Sequence, residues 1–152
     1  MTDFEPKIVV FCCNWCSPAG IDLAGSSKLK SNPHSRVIKI TCTGRIEPSF
    51  ILRAFAQGAD GVIIAGCNPG DCHFISGNLK ARRIITLIKN LLPQFGIEPE
   101  RLRIELISTS EAAKFQSATD EFFDEITRLG PLRQIKRVKA NEPGSYSRCS
   151  SR

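Results

Sequence analysis

Residues 61–73, GVIIAGCNPGDCH, join a short apolar run to a bent loop that carries two cysteines. The apolar run, residues 61–65, is predicted to form a buried strand. The loop that follows, residues 66–73, holds Cys67 and Cys72 among glycine and proline residues, and a long helical pattern comes next. A loop between a strand and a helix presents its side chains at the mouth of a sheet, where a metal can collect ligands from several loops.

The same order of strand and helix is repeated along the chain. Strands are predicted at residues 7–12, 36–42, 61–65 and 101–107, and helices at residues 19–29, 48–55, 74–92 and 111–129. Alternating strands and helices indicate a parallel sheet with helices on both faces. We therefore expect an α/β, flavodoxin-like single domain with about four strands, ordered 2-1-3-4.

Local patterns refine this prediction. In the strand at residues 7–12, the residues after Lys7 are continuously apolar, which is typical of a strand buried on both faces. Residues 36–42 alternate and are expected to have one exposed face or to lie at an edge, and residues 101–107 alternate as a half-exposed strand does. Pro93 is expected to end the third helix, and His73 is preferred as its cap. Ser108 or Ser110 is expected to cap the last helix.

Length and composition favour one domain in the cytoplasm. The chain has 152 residues, of which 41% are hydrophobic, enough to bury a core. No apolar run approaches the roughly 20 residues that span a bilayer, and the N-terminus does not resemble a signal peptide. We expect a domain at residues 1–130 and a basic tail at residues 131–152 that is mobile unless a partner orders it.

The positive charge is concentrated in the predicted tail. The formal net charge is +6, but residues 131–152 hold six basic side chains and one acidic side chain, so the rest of the chain is nearly neutral. A nucleic-acid-binding protein that uses the tail is therefore the weakest of the functional hypotheses, and we expect no nucleic-acid partner.

The seven cysteines are better explained by metal or redox chemistry than by a disulfide framework, because the cytosol keeps thiols reduced. Any one of them could be a small core residue. Six of them, however, end or follow the first three predicted strands and are expected at one edge of the sheet: Cys12, Cys13, Cys16, Cys42, Cys67 and Cys72.

Three kinds of site are compatible with these thiols. Structural zinc takes four thiolates but adds little to a domain that already has a core. An iron-sulfur cluster also takes about four thiolates, in loops whose backbone amides approach the sulfides. A thioredoxin-like redox pair needs only the Cys13-x-x-Cys16 motif and leaves the other cysteines unexplained.

Three motifs at these cysteines resemble one known family. Residues 11–16 (FCCNWC), 42–45 (CTGR) and 61–74 (GVIIAGCNPGDCHF) are similar to the delta subunit, or iron-sulfur subunit, of the methyl-viologen-reducing hydrogenase. The resemblance covers roughly residues 7–129. It implies a non-catalytic electron-transfer subunit with a [2Fe-2S] cluster, which connects a hydrogenase or formate dehydrogenase to a flavoprotein subunit of the heterodisulfide reductase type.

The resemblance implies five possible ligands, one more than the cluster uses: Cys13, Cys16, Cys42, Cys67 and Cys72. The preferred four are Cys13, Cys16, Cys67 and Cys72, because their strands are expected to be adjacent. Cys42 is then an alternative ligand or a neighbouring thiol, and Cys12 is expected to be buried away from Cys13. The main alternative to an electron carrier is a structural zinc-binding interaction module.

Overall fold

A computed structural model describes residues 4–15, 35–108 and 110–133, which form a parallel sheet with helices packed on it. The strands are β1 (Ile8–Cys13), β2 (Ser35–Ile40), β3 (Gly61–Gly66) and β4 (Leu102–Leu106). The α-helices of the described residues are α1 (Pro48–Ala56), α2 (Gly77–Leu91) and α3 (Ala112–Leu129). Single 3-10 turns occupy Thr43–Arg45, Leu92–Phe95 and Pro99–Arg101. The helix predicted at residues 19–29 and most of the predicted tail lie outside the described residues.

The strand order is β2-β1-β3-β4, and all three pairings are parallel, which confirms the predicted order. In the register of the sheet, Phe11 of β1 lies opposite Ile38 of β2 and Ile64 of β3. The central strands β1 and β3 are almost fully buried, whereas β2 and β4 form the edges and are more exposed. Because the strands are parallel, their carboxyl ends meet at one edge of the sheet.

Helices cover both faces of the sheet, as the alternating pattern predicts. On one face, α1 and α2 pack through Ile51, Phe55, Ile85 and Ile88. On the other face, α3 packs through a second set of buried residues, among them Phe122 and Ile126. Each fully buried aliphatic or aromatic side chain contributes about 1.5–3 kcal/mol relative to its exposed state.

The α2 helix begins three residues later than predicted. Ile75 has a φ of 67°, a left-handed conformation that a right-handed helix cannot include, and the helix therefore starts at Gly77 with Ser76 at the N-cap position. The preference for His73 as the helix cap is wrong for this reason. The α-helix ends at Leu91, and Pro93 lies in the 3-10 turn that follows.

The start of α3 also differs from the prediction. The N-cap residue is Glu111, not Ser108 or Ser110. The Glu111 carboxylate accepts hydrogen bonds from the backbone N–H of Ser108 (2.9 Å) and from the side-chain amide of Asn68 (3.1 Å). The backbone N–H of Ser108 is the main cause of a lowered pKa for Glu111. An acidic side chain thus connects the start of α3 to the loop that follows β3.

Within the described residues, none of the helices combines the length and the apolar character needed to cross a membrane.

Candidate metal centre

Four cysteines from three loops meet at the carboxyl edge of the sheet. Cys13 ends β1, Cys42 follows β2, and Cys67 and Cys72 belong to the loop between β3 and α2. All four are at most 8% exposed, and they contact one another in a group separate from the two apolar cores. The structure thus brings together four of the five predicted ligands, whereas Cys16 lies outside the described residues.

Cys13 and Cys67 supply the first pair of sulfur atoms in this group. Their Sγ atoms are 3.9 Å apart. Two thiolates on one tetrahedral metal, each bonded at about 2.3 Å, lie about 3.8 Å apart, so this spacing suits two ligands of one metal. Cys67 is disulfide-bonded in the structure. A metal ligand must be a thiolate, and Cys67 therefore ligates only after reduction of that disulfide.

Cys42 and Cys72 form the second pair, and neither takes part in a disulfide. Their sulfur atoms both lie beside Gly77, and the interaction between the two side chains raises the pKa of Cys42 and lowers that of Cys72. Burial is the main reason why the pKa of Cys42 is raised, although the backbone N–H of Gly44 donates to its Sγ at 3.4 Å and acts in the opposite direction. Cys42 is therefore the proton donor of the pair in the absence of metal.

Cys72 lies in a nest of backbone donors. Burial raises its pKa, but hydrogen bonds from the backbone N–H groups of Asn78, Phe74 and Gly77 outweigh burial, so that the pKa of the thiol is lowered. Several N–H groups that converge on one sulfur at the start of a helix stabilise a negative charge there. The same arrangement suits a thiolate ligand of a metal cluster.

Two glycines allow the thiols to approach the backbone. A Cβ at Gly77 would clash with Cys42 Sγ and would lie 3.3 Å from Cys72 Sγ. A Cβ at Gly44 would lie 2.7 Å from the Cα of Gly77, so the turn after Cys42 packs directly against the first residue of α2. The missing side chains at these two positions create the space that the second thiol pair occupies.

Asn78 connects the β3–α2 loop to the α2 helix. Its side chain is 1% exposed, and its amide nitrogen donates to the carbonyl oxygens of Cys67 (3.1 Å) and Asn68 (2.8 Å). Its amide oxygen accepts from the backbone N–H of Leu79 at 2.8 Å. Asn78 is not among the residues predicted from the sequence. A usable signal exists, because it shares helical spacing with the buried residues Ala81, Ile85 and Ile88.

An aromatic cluster lies on the outer side of the same loop. The rings of Trp15 and His73 stack with centroids 3.8 Å apart and an interplanar angle of 7°, and Phe74 meets both rings edge-on. Trp15 is 50% exposed and Phe74 is 47% exposed. His73 therefore contributes to this aromatic surface rather than to a helix cap.

Of the other three cysteines, the structure describes only Cys12. Cys12 is fully buried in the core beneath α3, on the opposite face from Cys13, which confirms the predicted alternation. Cys149, like Cys16, belongs to a part of the chain that the structure does not describe. In the described ranges, no three His, Cys, Asp or Glu side chains are arranged to hold a single metal ion. The described residues instead present two pairs of cysteine sulfur atoms, Cys13 with Cys67 and Cys42 with Cys72.

One protein family matches most of the chain. Residues 8–130 match the family described as "Methyl-viologen-reducing hydrogenase, delta subunit". The chain belongs to this family. The match begins at the first residue of β1 and ends just after α3, so the delta-subunit family shares the whole of the sheet and the three cysteine loops.

Several relatives carry related names. The chain is 51% identical over 129 residues to the vhc iron-sulfur subunit of the F420-non-reducing hydrogenase of Methanococcus voltae, covering 85% of this chain and 90% of that protein. It is 47% identical over 131 residues to the iron-sulfur subunit of the F420-non-reducing hydrogenase of Archaeoglobus profundus, covering 86% and 96% of the two chains.

A third relative is much longer. The chain is 39% identical over 139 residues to one subunit of the ferredoxin/F420H2-dependent CoB-CoM heterodisulfide reductase of Methanosarcina acetivorans. This match covers 91% of the chain but only 18% of that protein. In that relative, the sequence of the delta-subunit family is one part of a larger polypeptide.

Proposed function

We propose that this chain is an electron-transfer subunit that holds a [2Fe-2S] cluster at the carboxyl edge of its sheet. The observation that carries the proposal is the meeting of four buried cysteines from three separate loops, arranged as two pairs. Two pairs of thiolates match the needs of a cluster in which each iron takes two protein ligands. The words "iron-sulfur subunit" in the names of the relatives support the same kind of cofactor.

When bound, such a cluster supplies one-electron redox chemistry. The chain itself supplies the thiolates and the hydrogen bonds around them. Backbone N–H groups around Cys72, and the N–H of Gly44 beside Cys42, place partial positive charge next to the two sulfur atoms. This charge would stabilise the more negative, reduced form of a bound cluster. Burial of all four cysteines limits access of water to the site.

Two sets of four ligands are considered, and they share Cys13, Cys67 and Cys72. The sets differ in the fourth ligand, which is Cys16 in one and Cys42 in the other. The sequence-based preference for Cys16 as the fourth remains a prediction. The contacts of the described residues favour Cys42, because it is buried in the same group and its sulfur, like that of Cys72, lies beside Gly77. We propose Cys42 as the fourth ligand of the cluster.

Single serine substitutions test this ligand set. We expect Cys13→Ser, Cys42→Ser, Cys67→Ser and Cys72→Ser to reduce the iron and sulfide content of the anaerobically purified protein, and Cys16→Ser to retain it. Cys12→Ala is the control, because its side chain lies on the other face of the sheet. Loss of the cluster from Cys16→Ser together with full retention in Cys42→Ser would show that the fourth ligand is Cys16.

The proposed partners are a hydrogenase or formate dehydrogenase module on one side and a heterodisulfide-reductase-type flavoprotein subunit on the other. The Methanosarcina relative supports the second partner, since a related sequence is part of a heterodisulfide reductase polypeptide there. A test is to mix the reduced chain with such a flavoprotein from the same organism and to follow the flavin absorbance. We expect reduction of the flavin, and an unchanged flavin spectrum with a fully loaded cluster would contradict this partner.

A further inference from the structure

We infer that Asn78 is a positioning residue that sets the geometry of the cluster site by fixing the loop between Cys67 and Cys72. The inference rests on the proposed function and concerns a side chain that does not contact the cluster. Asn78 is held in the first turn of α2, and α2 packs on the sheet through Ile85 and Ile88. It therefore offers a rigid support to an otherwise irregular loop.

Asn78 connects the two ends of the loop. Its amide nitrogen donates to the carbonyl oxygens of Cys67 and Asn68 at the first end, and the residue itself lies in the first turn of the helix that follows the second end. One buried side chain thus ties the start of the loop to the helix that the loop leads into.

Both side-chain donors of Asn78 are taken up by the loop. Both amide hydrogens are used by the two carbonyl groups, and the amide oxygen accepts from the N–H of Leu79. Replacement by an apolar residue would leave the carbonyl oxygens of Cys67 and Asn68 without this donor in a buried place. The loop would then move to find other partners, and the thiols at its ends would move with it.

Asn78→Ala removes the side-chain donors but keeps the backbone N–H. We expect the reduced cluster of this variant to show an altered electron paramagnetic resonance spectrum and a changed reduction potential. We also expect release of iron to a chelator to be faster by about 10-fold or more, the range in which outer hydrogen-bond partners act on metal sites. A residue that only stabilised the fold would lower the yield without moving the potential of the loaded molecules.

Asn90→Ala is the matched control, because Asn90 is an exposed residue of the same type on the same helix. It should keep the wild-type spectrum, potential and release rate. The inference is overturned if Asn78→Ala also keeps all three. Asn78→Ser, which retains one short donor, is measured in parallel and should fall between the wild type and Asn78→Ala.

Hydrogen exchange of the metal-free, reduced protein gives a readout that does not depend on the cluster. In Asn78→Ser we expect faster exchange of residues 67–76, with unchanged exchange in β3 and β4. Wild-type exchange rates in this loop would overturn the inference even if no variant held a cluster. A wild-type protein without iron and sulfide would contradict the proposed function instead, and the exchange experiment would still test the role of Asn78.

Discussion

At the scale of single residues, the thiol group depends on a missing side chain. Gly77 is buried, and a Cβ there would clash with Cys42 Sγ. The helical pattern of the sequence includes this position but gives no reason for glycine, because the neighbour that requires it comes from a loop more than 30 residues earlier in the chain. The sequence therefore predicts which loops carry cysteines, but not how closely the loops approach each other.

Gly77→Ala should disrupt the second thiol pair. The added methyl group must displace Cys42 or the start of α2, and we expect a loss of about 1–3 kcal/mol in the free energy of unfolding together with a reduced cluster content. Urea unfolding and iron analysis measure the two effects. Ser76→Ala is the control, since it adds no atom at the neighbouring N-cap position. An alanine variant with wild-type stability and iron content would contradict the close approach.

The pKa values of the Cys42 and Cys72 thiols should lie on opposite sides of the ordinary pKa of a cysteine thiol. Burial raises the pKa of Cys42, whereas the backbone donors around Cys72 outweigh burial and lower its pKa. Because the pKa of Cys72 is lowered on folding, this thiol stabilises the metal-free fold at pH values above its pKa in the unfolded chain. The contribution is lost as the pH falls through the pKa of Cys72 in the folded protein. Because the pKa of Cys42 is raised on folding, its contribution to stability is fully present at pH values below its pKa in the unfolded chain. The contribution is lost as the pH rises through the pKa of Cys42 in the folded protein.

Thiolate absorbance of the reduced, metal-free protein measures both groups. The titration curve of Cys72→Ser is subtracted from that of the wild type, which leaves the titration of Cys72. Its midpoint should lie below the ordinary thiol pKa of about 8.5. The corresponding difference for Cys42→Ser should show a midpoint above it. Midpoints in the reverse order would mean that the backbone donors do not converge on Cys72.

At the scale of secondary-structure elements, a buried arginine joins parts of the fold that the sequence pattern separates. Arg101 is 1% exposed and donates to the carboxylate of Glu98 (2.6 Å) and to the carbonyl oxygens of Asp60 (3.1 Å) and Gly130 (2.9 Å). The alternating pattern of residues 101–107 predicts a half-exposed strand and gives no reason to expect that the Arg101 side chain is buried. Arg101 can be buried because three acceptors from separate parts of the chain satisfy its guanidinium group inside the fold.

Arg101→Ala should therefore destabilise the protein by about 3 kcal/mol or more, because it leaves buried carbonyl groups without a donor and opens a cavity. Arg103→Ala is the matched control. Arg103 is partly exposed and bonds to Glu105 and Glu121, so its loss should cost no more than about 1 kcal/mol. Urea unfolding of the metal-free proteins separates the two. Equal losses would show that Arg101 is not a structural connection.

Most of the strands and helices follow from local sequence patterns. The apolar runs of β1 and β3 and the alternation in β2 correctly predict central and edge positions. The errors lie at helix starts, where one backbone angle at Ile75 or one hydrogen bond at Glu111 decides the boundary. Such details depend on the packing around each helix start, and periodicity does not contain them.

At the scale of the whole molecule, the strand order determines where the chemistry lies. The order β2-β1-β3-β4 places the loops after β1, β2 and β3 side by side, so cysteines that are far apart in the sequence become neighbours. The fold and the edge that carries the thiols were thus predictable from the sequence. The pairing of Cys42 with Cys72, and the support from Asn78, required the three-dimensional contacts.

The proposed iron-sulfur cluster is tested most directly by metal analysis. The protein is purified without oxygen, and iron, acid-labile sulfide and zinc are measured per chain, with electron paramagnetic resonance of the reduced sample. We expect about two irons and about two sulfides per chain, together with the signal of a reduced [2Fe-2S] cluster. One zinc per chain without iron or sulfide would contradict the proposal.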